Sequence, residues 1–245
     1  MTDELRMPFT GHLQELRNRL IKSLLAIALG FAICFFLSDR IFAFVLIPLK
    51  SLRIPDLRMI GTGVTEAFFA KIKVALIGGA FVASPVVLYQ GWAFVAPGLH
   101  QHERRYIMPF LIVGTLFFLL GAWFCYRVVF VYGYGFLLRQ FETVGIRPQL
   151  KIGEYLTFSA KLLLIFGSLF ELPVLFYFLT RAGVVNHRML IKQFPYAVLV
   201  VFIIAAFLTP PDVVSQVLVA FPLMVLYLTG IAVSYVFRRR GEDSA

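Results

Sequence analysis

The sequence predicts an all-α integral membrane protein of six transmembrane helices, and three observations predict it. Of its 245 residues, 60% are hydrophobic and 15% charged, where a soluble domain of this size carries about 25% charged residues. The mean hydropathy is +0.86. The apolar residues also fall in runs of about 20, the length needed to cross a hydrocarbon core about 30 Å thick. The 27 Phe fit this class, because lipid accepts exposed aromatic surface.

The elements follow in order. Residues 1–19 read as an amphipathic cytoplasmic N-terminus. The first span covers 20–38: Ser23 to Ser38 is uncharged, and Leu20 and Ile21 extend it if Lys22 snorkels. The second covers 74–92, broken by Pro85 and ending near Trp92. The third covers 106–130, with a continuation past Arg127 to Leu138 left open. The fourth covers 160–180, uncharged from Leu162 to Thr180 except for Glu171. The fifth covers 193–209 and the sixth 213–237, followed by a cytoplasmic tail at 238–245. All six spans belong to one membrane domain, and no internal repeat or low-complexity tract interrupts it.

The fifth and sixth spans meet at Thr209-Pro210-Pro211-Asp212. A proline pair lacks two N–H donors and fixes φ, so it ends one helix and starts the next. From Tyr196 to Leu208 the fifth helix reaches only about 20 Å at 1.5 Å per residue. A bilayer thinned beside this hairpin accommodates the shortfall. The alternative is a fifth helix that starts earlier, near Asn186, and spans normally.

Six spans put both termini on one side. Arg17, Arg19 and Lys22 precede the first span and Arg238, Arg239 and Arg240 follow the last, which favours cytoplasmic termini. Over the whole chain the 23 basic residues divide almost evenly between the two sides, so the terminal clusters carry the orientation. The net charge of +10 comes mostly from residues flanking apolar runs, as membrane-surface anchors do, and this excludes nucleic acid as a partner. Cys34 and Cys125 lie inside apolar runs without ligand spacing, as small core hydrophobes rather than a disulfide or metal site. No cleavable signal sequence is read, since the first 20 residues carry Asp3, Glu4, Glu15, Arg17 and Arg19.

Three carboxylates are the candidates for chemistry. Glu15 lies in a segment whose Leu13, Leu16 and Leu20 form an apolar stripe at helical spacing. Its plainer reading is a local pair with Arg19 at i+4. Glu103 lies in His100-Gln101-His102-Glu103-Arg104-Arg105, whose plainer reading is a solvated charge run. A metalloprotease would need His-Glu-x-x-His, and Tyr106 occupies the second histidine position. Glu171 has nine uncharged residues on each side. An ionised carboxyl there is costly unless it meets water, a partner or a proton, so it is a functional candidate. The alternative is a neutral, hydrogen-bonded structural residue. Gln216, in the sixth span, is a candidate partner for Glu171 or for another protein's helix. Nothing in the sequence indicates an enzyme, a metal or a cofactor: the four His have no ligand spacing, and no phosphate-binding or dinucleotide motif is present.

Four stretches resemble one family: His12-Leu13-Gln14-Glu15-Leu16-Arg17-Asn18-Arg19; Ser84-Pro85 through Pro97-Gly98-Leu99 into His102-Glu103-Arg104-Arg105; Phe170-Glu171-Leu172-Pro173; and Pro195-Tyr196 followed by Leu208-Thr209-Pro210-Pro211-Asp212-Val213-Val214-Ser215-Gln216. From about Phe9 to Arg240 the chain is similar to TatC, the multispanning subunit of the twin-arginine protein translocase. The resemblance implies a concave, glove-like bundle with short fifth and sixth helices, in a bacterial cytoplasmic (inner) membrane. It implies a receptor for twin-arginine signal peptides on folded proteins, in which Glu15 and Glu103 receive the arginine pair and Arg17, Phe94 and Arg105 complete the site. It puts Glu171 at an intramembrane cavity and gives Thr209 and Gln216 to the docking of single-span TatA- and TatB-type subunits. It implies association with other copies of the chain, and structural roles for Pro48, Pro85, Pro210, Pro211 and Asp212. Gly91 departs from the pattern, standing where many relatives have a larger residue. Two rivals remain. A proton-coupled small-molecule transporter using Glu171 would require paired half-repeats with broken helices, which the sequence lacks. A plain membrane scaffold would keep Glu171 buried and neutral.

Overall fold

The computed structural model describes residues 9–52, 54, 57–95, 107–145, 147–209 and 212–237. It forms two compact units, one from 1–41 and 71–115, the other from 42–70 and 116–245. Among the described residues five helices are long and apolar enough to cross a membrane, and a sixth apolar helix is shorter.

In the first unit, α1 (Phe9–Phe36) carries the amphipathic segment and the first span on one continuous helix. It packs antiparallel on α4 (Glu66–Val95). Three contacts fix the register: Asp39 with Lys71 at 2.7 Å, Gly30 against Gly79, and Arg19 Nη1 donating to Gln90 Oε1 at 3.4 Å. The partners' numbers add to 109 or 110 throughout. The helices touch backbone to backbone, since a Cβ on Gly30 would lie 2.6 Å from the Gly79 oxygen. α4 passes through Pro85 without the expected break. Pro85 has no N–H for the Phe81 carbonyl, and the Ser84 hydroxyl donates to that oxygen instead, at 2.8 Å.

The third span is α5 (Ile107–Phe124), whose first residues belong to the first unit, a π turn at Cys125–Val129, and α6 (Phe130–Val144). The second unit also holds the end of α2 (Ser38–Val45), then α3 (Ile47–Ser51), and a two-stranded parallel ribbon of β1 (Arg58–Ile60) and β2 (Gln149–Lys151). These three-residue strands carry no hydropathy signal and were not expected. Glu66 clasps the ribbon's ends: its carboxylate accepts from the Thr62 N–H and hydroxyl and from the Gly153 N–H at 3.0 Å.

The fourth span is α7 (Ile152–Phe170) and α8 (Leu172–Arg181), divided at Glu171. Pro173 offers no N–H to the Leu169 carbonyl, so the regular ladder stops there. α7 starts eight residues before the 160 expected from sequence and contains Lys161. After α9 (His187–Lys192) come α10 (Phe194–Leu208) and α11 (Val213–Val236). Pro195 separates α9 from α10. The shortness is confined to the fifth helix: α10 has 15 residues, about 22 Å, and α11 has 24, about 36 Å.

Phe130, Leu138, Leu156, Phe166 and Leu223 are fully buried in this unit. Two hydroxyl pairs cross its helices: Tyr134 with Ser159 at 2.8 Å, and Thr180 with Ser234 at 2.7 Å. Gly121 brings α5 onto α7, because a Cβ there would lie 2.6 Å from the Phe166 oxygen.

Candidate functional site

Glu15 sits on the amphipathic turn of α1. Arg19, one turn on, donates to its Oε1 from Nε at 2.9 Å and from Nη2 at 2.5 Å. The expected i+4 pair therefore exists, and it uses one carboxylate oxygen. Oε2 is buried and has no partner among the described residues. Such an oxygen is costly to leave empty, and its geometry suits one further N–H donor. The α1–α4 register puts Phe94 at the level of Glu15, one turn beyond the Arg19–Gln90 contact. Phe94 is half-buried, Trp92 beside it stacks on Phe110 at 6.0 Å, and Arg17 is exposed on α1. Glu103 and Arg105 lie outside the described residues, as do Pro210, Pro211, residues 1–8 and the tail 238–245.

Glu171 stands at the α7–α8 junction, and both its carboxylate oxygens are buried without a described partner. Gln216 is not that partner: its Nε2 donates to the Phe202 carbonyl at 3.0 Å, stitching α11 to α10. The Thr209 hydroxyl donates back to Ala205 at 2.9 Å and closes α10. Asp212 caps α11 by accepting from the Ser215 N–H at 2.7 Å. Thr209 and Ser215 line a small cavity together with Val129, Gly133, Phe158 and Leu162. The Ser215 hydroxyl there is buried and unpartnered.

Pro48 acts through tyrosines that sequence reasoning missed. Its missing N–H frees the Phe44 carbonyl, which accepts the Tyr126 hydroxyl at 2.6 Å. The next carbonyl, Val45, accepts the Tyr155 hydroxyl at 2.8 Å. Tyr126 also stacks on Phe44, with ring centroids 4.6 Å apart. A proline followed at long range by tyrosines in apolar helices is the only trace of this arrangement in the sequence. Lys161 was missed for a different reason: a charged residue looks like a span boundary.

The Sec-independent protein translocase protein (TatC) family matches residues 11–222. The TatC protein of Desulforapulum autotrophicum is 42% identical over 242 residues, which cover 98% of this chain and 89% of that protein. That of Magnetococcus marinus is 41% identical over 244 residues, covering 99% and 89%. A crystal structure of the twin-arginine translocase receptor TatC superposes with a TM-score of 0.84 at 38% identity, covering 93% of this chain and all of that one. These relatives are protein translocase components, a class of transport protein. With 211 residues separating the ends of the family match and near-complete coverage of relatives above 40% identity, the chain belongs to the TatC family.

Proposed function

We propose that this chain is the receptor subunit of a twin-arginine translocase. It binds the arginine pair of a signal peptide at Glu15 and Glu103, flanked by Arg17, Phe94 and Arg105. It scaffolds single-span TatA- and TatB-type subunits at Thr209 and Gln216, and it associates with further copies of itself. It works in a bacterial cytoplasmic membrane with both termini in the cytoplasm.

The observation that carries this reading is the empty Oε2 of Glu15 at the level of Phe94. A guanidinium is always charged and offers a planar fork of donors. A partly desolvated carboxylate receives it through charge-assisted hydrogen bonds, each contributing about 1.5–3 kcal/mol. Lysine has no such fork and fits less well. Phe94 supplies an apolar wall for the hydrophobic part of the peptide. The role of Glu103 rests on the family resemblance. Glu171 provides a second polar point, inside the bilayer, for a chain that must leave water.

The test is a photocrosslinker at position 94 of the full-length protein in membranes, presented with a labelled signal peptide. A peptide with Arg-Arg crosslinks, and a Lys-Lys version or a Glu15→Ala/Glu103→Ala receptor crosslinks several-fold less. Equal crosslinking in all three cases overturns the assignment.

A further inference from the structure

Arg127 and Lys161 lie inside the membrane-spanning helices of the second unit, and no described acid pairs with either. Lys161 is exposed on α7, nine residues from its start at Ile152. Arg127 is exposed in the π turn of the third span. Neither forms an ion pair or hydrogen bond with a described residue.

Their depth is fixed by the cavity described above. Phe158 and Leu162, on either side of Lys161 in sequence, line it together with Thr209 at the tip of the α10–α11 hairpin. So do Val129 and Gly133, just beyond Arg127. Hairpin tip, Lys161 and Arg127 therefore share one level. That level is about 13 Å below the start of α7, at 1.5 Å per residue. The third span continues past it as well, since its apolar helix runs 34 residues from Met108 to Phe141, about 50 Å. Among the described residues no carboxylate pairs with either cation. Asp212, at the same level, caps α11 through the Ser215 N–H. Glu154, nearer the start of α7, pairs with Lys151 at 3.2 Å.

Unpaired cations, a polar hairpin tip and exposed aromatics are the residues of a membrane–water boundary. Trp123 and Tyr132 flank Arg127 along the third span and are 59% and 65% exposed. We propose that Arg127 and Lys161 bind the phosphate groups of anionic phospholipids at the level of the hairpin tip. The headgroup layer on this side then runs about 13 Å below the start of α7. The exposed neighbours Leu116, Leu119 and Leu120 face the acyl chains beneath.

The test uses the full-length protein in nanodiscs of equal phosphatidylglycerol and phosphatidylcholine and involves no signal peptide, so its failure and that of the receptor reading are separate. Lipid retained after detergent release is counted by native mass spectrometry. Wild type, Lys161→Arg and the paired control Lys151→Gln retain phosphatidylglycerol in preference to phosphatidylcholine. Lys161→Gln/Arg127→Gln retains at least threefold less. A second readout uses Trp92→Phe, which leaves Trp123 as the sole indole: a headgroup-level nitroxide lipid quenches it more strongly than one labelled at mid-chain. Unchanged phosphatidylglycerol retention in the double variant, equal retention of both lipids by wild type, or stronger mid-chain quenching each overturns the proposal. Loss of a co-purifying single-span protein in the double variant, with phosphatidylglycerol retention unchanged, would instead assign the cations to a helix-borne carboxylate.

Discussion

The Tyr126 hydroxyl donates to the carbonyl of Phe44 at 2.6 Å, four residues before Pro48. That carbonyl is free only because residue 48 has no N–H to offer it. The tyrosine and the proline are therefore coupled, although they lie 78 positions apart.

The coupling is measurable. Tyr126→Phe keeps the ring stack on Phe44 and orphans the carbonyl, which costs about 1–3 kcal/mol. In a Pro48→Ala background the alanine N–H can take over, so the same change costs less than half as much. Thermal unfolding of the four proteins in detergent gives the cycle. Additive losses would show that the two residues act independently.

Arg19 holds one oxygen of Glu15 and leaves the other empty. Replacing Glu15 by Gln removes the charge from both. Affinity for a twin-arginine peptide then falls about tenfold or more, corresponding to a lost charge-assisted pair. Arg19→Gln leaves the carboxylate in place and changes affinity by less than about threefold, the scale of an exposed i+4 pair. Binding titrations of the two variants in nanodiscs separate the outcomes. A larger loss from Arg19→Gln would mean that the arginine itself touches the peptide.

Gly79 and Gly91 lie twelve residues apart on α4 and differ sharply in what surrounds them. A methyl group on Gly79 would run into the backbone of Phe31, and one on Gly91 would meet nothing within 4 Å. Gly79→Ala pushes α1 away and destabilises by about 1–3 kcal/mol. Gly91→Ala is neutral or stabilising by up to about 1 kcal/mol through helix propensity. Melting temperatures of both variants check this.

The Glu66 carboxylate ties the Thr62 turn to the first turn of α7. Glu66→Ala speeds hydrogen exchange at the Gly153 amide and in the β1–β2 ribbon while leaving the buried Tyr134–Ser159 region unchanged. Uniformly faster exchange would indicate global destabilisation instead.

The apolar runs made the helices legible, because a bilayer imposes one length on every crossing segment. Glu15 and its partner Arg19 were legible as well, through helical spacing. What stayed hidden depended on groups that act outside their own periodicity. The hydroxyl of Ser84 rescues the helix that Pro85 was expected to break, and a proline rule has no place for the residue before it. Lys161 was read as an edge because charge marks span ends, yet α7 runs two and a half turns beyond it. Gln216 was a candidate partner for Glu171 or for another protein's helix, and its Nε2 donates instead to a backbone carbonyl on the adjacent helix. The β1–β2 ribbon exists only because two distant loops meet, which no local pattern records.

The π turn at Cys125–Val129 amounts to one extra residue in the third span. Before it the buried positions run Phe118, Ala122, Cys125; after it they run Phe130, Tyr134, Leu138. Deleting any one residue of that turn would restore an uninterrupted α-helix and swing everything downstream by about 100°. Tyr134 would then turn away from Ser159, so a change that regularises the local backbone would unlatch the core around it. The irregular turn is a phase corrector, and the chain's length at that point is as much a part of its specificity as the identity of any side chain.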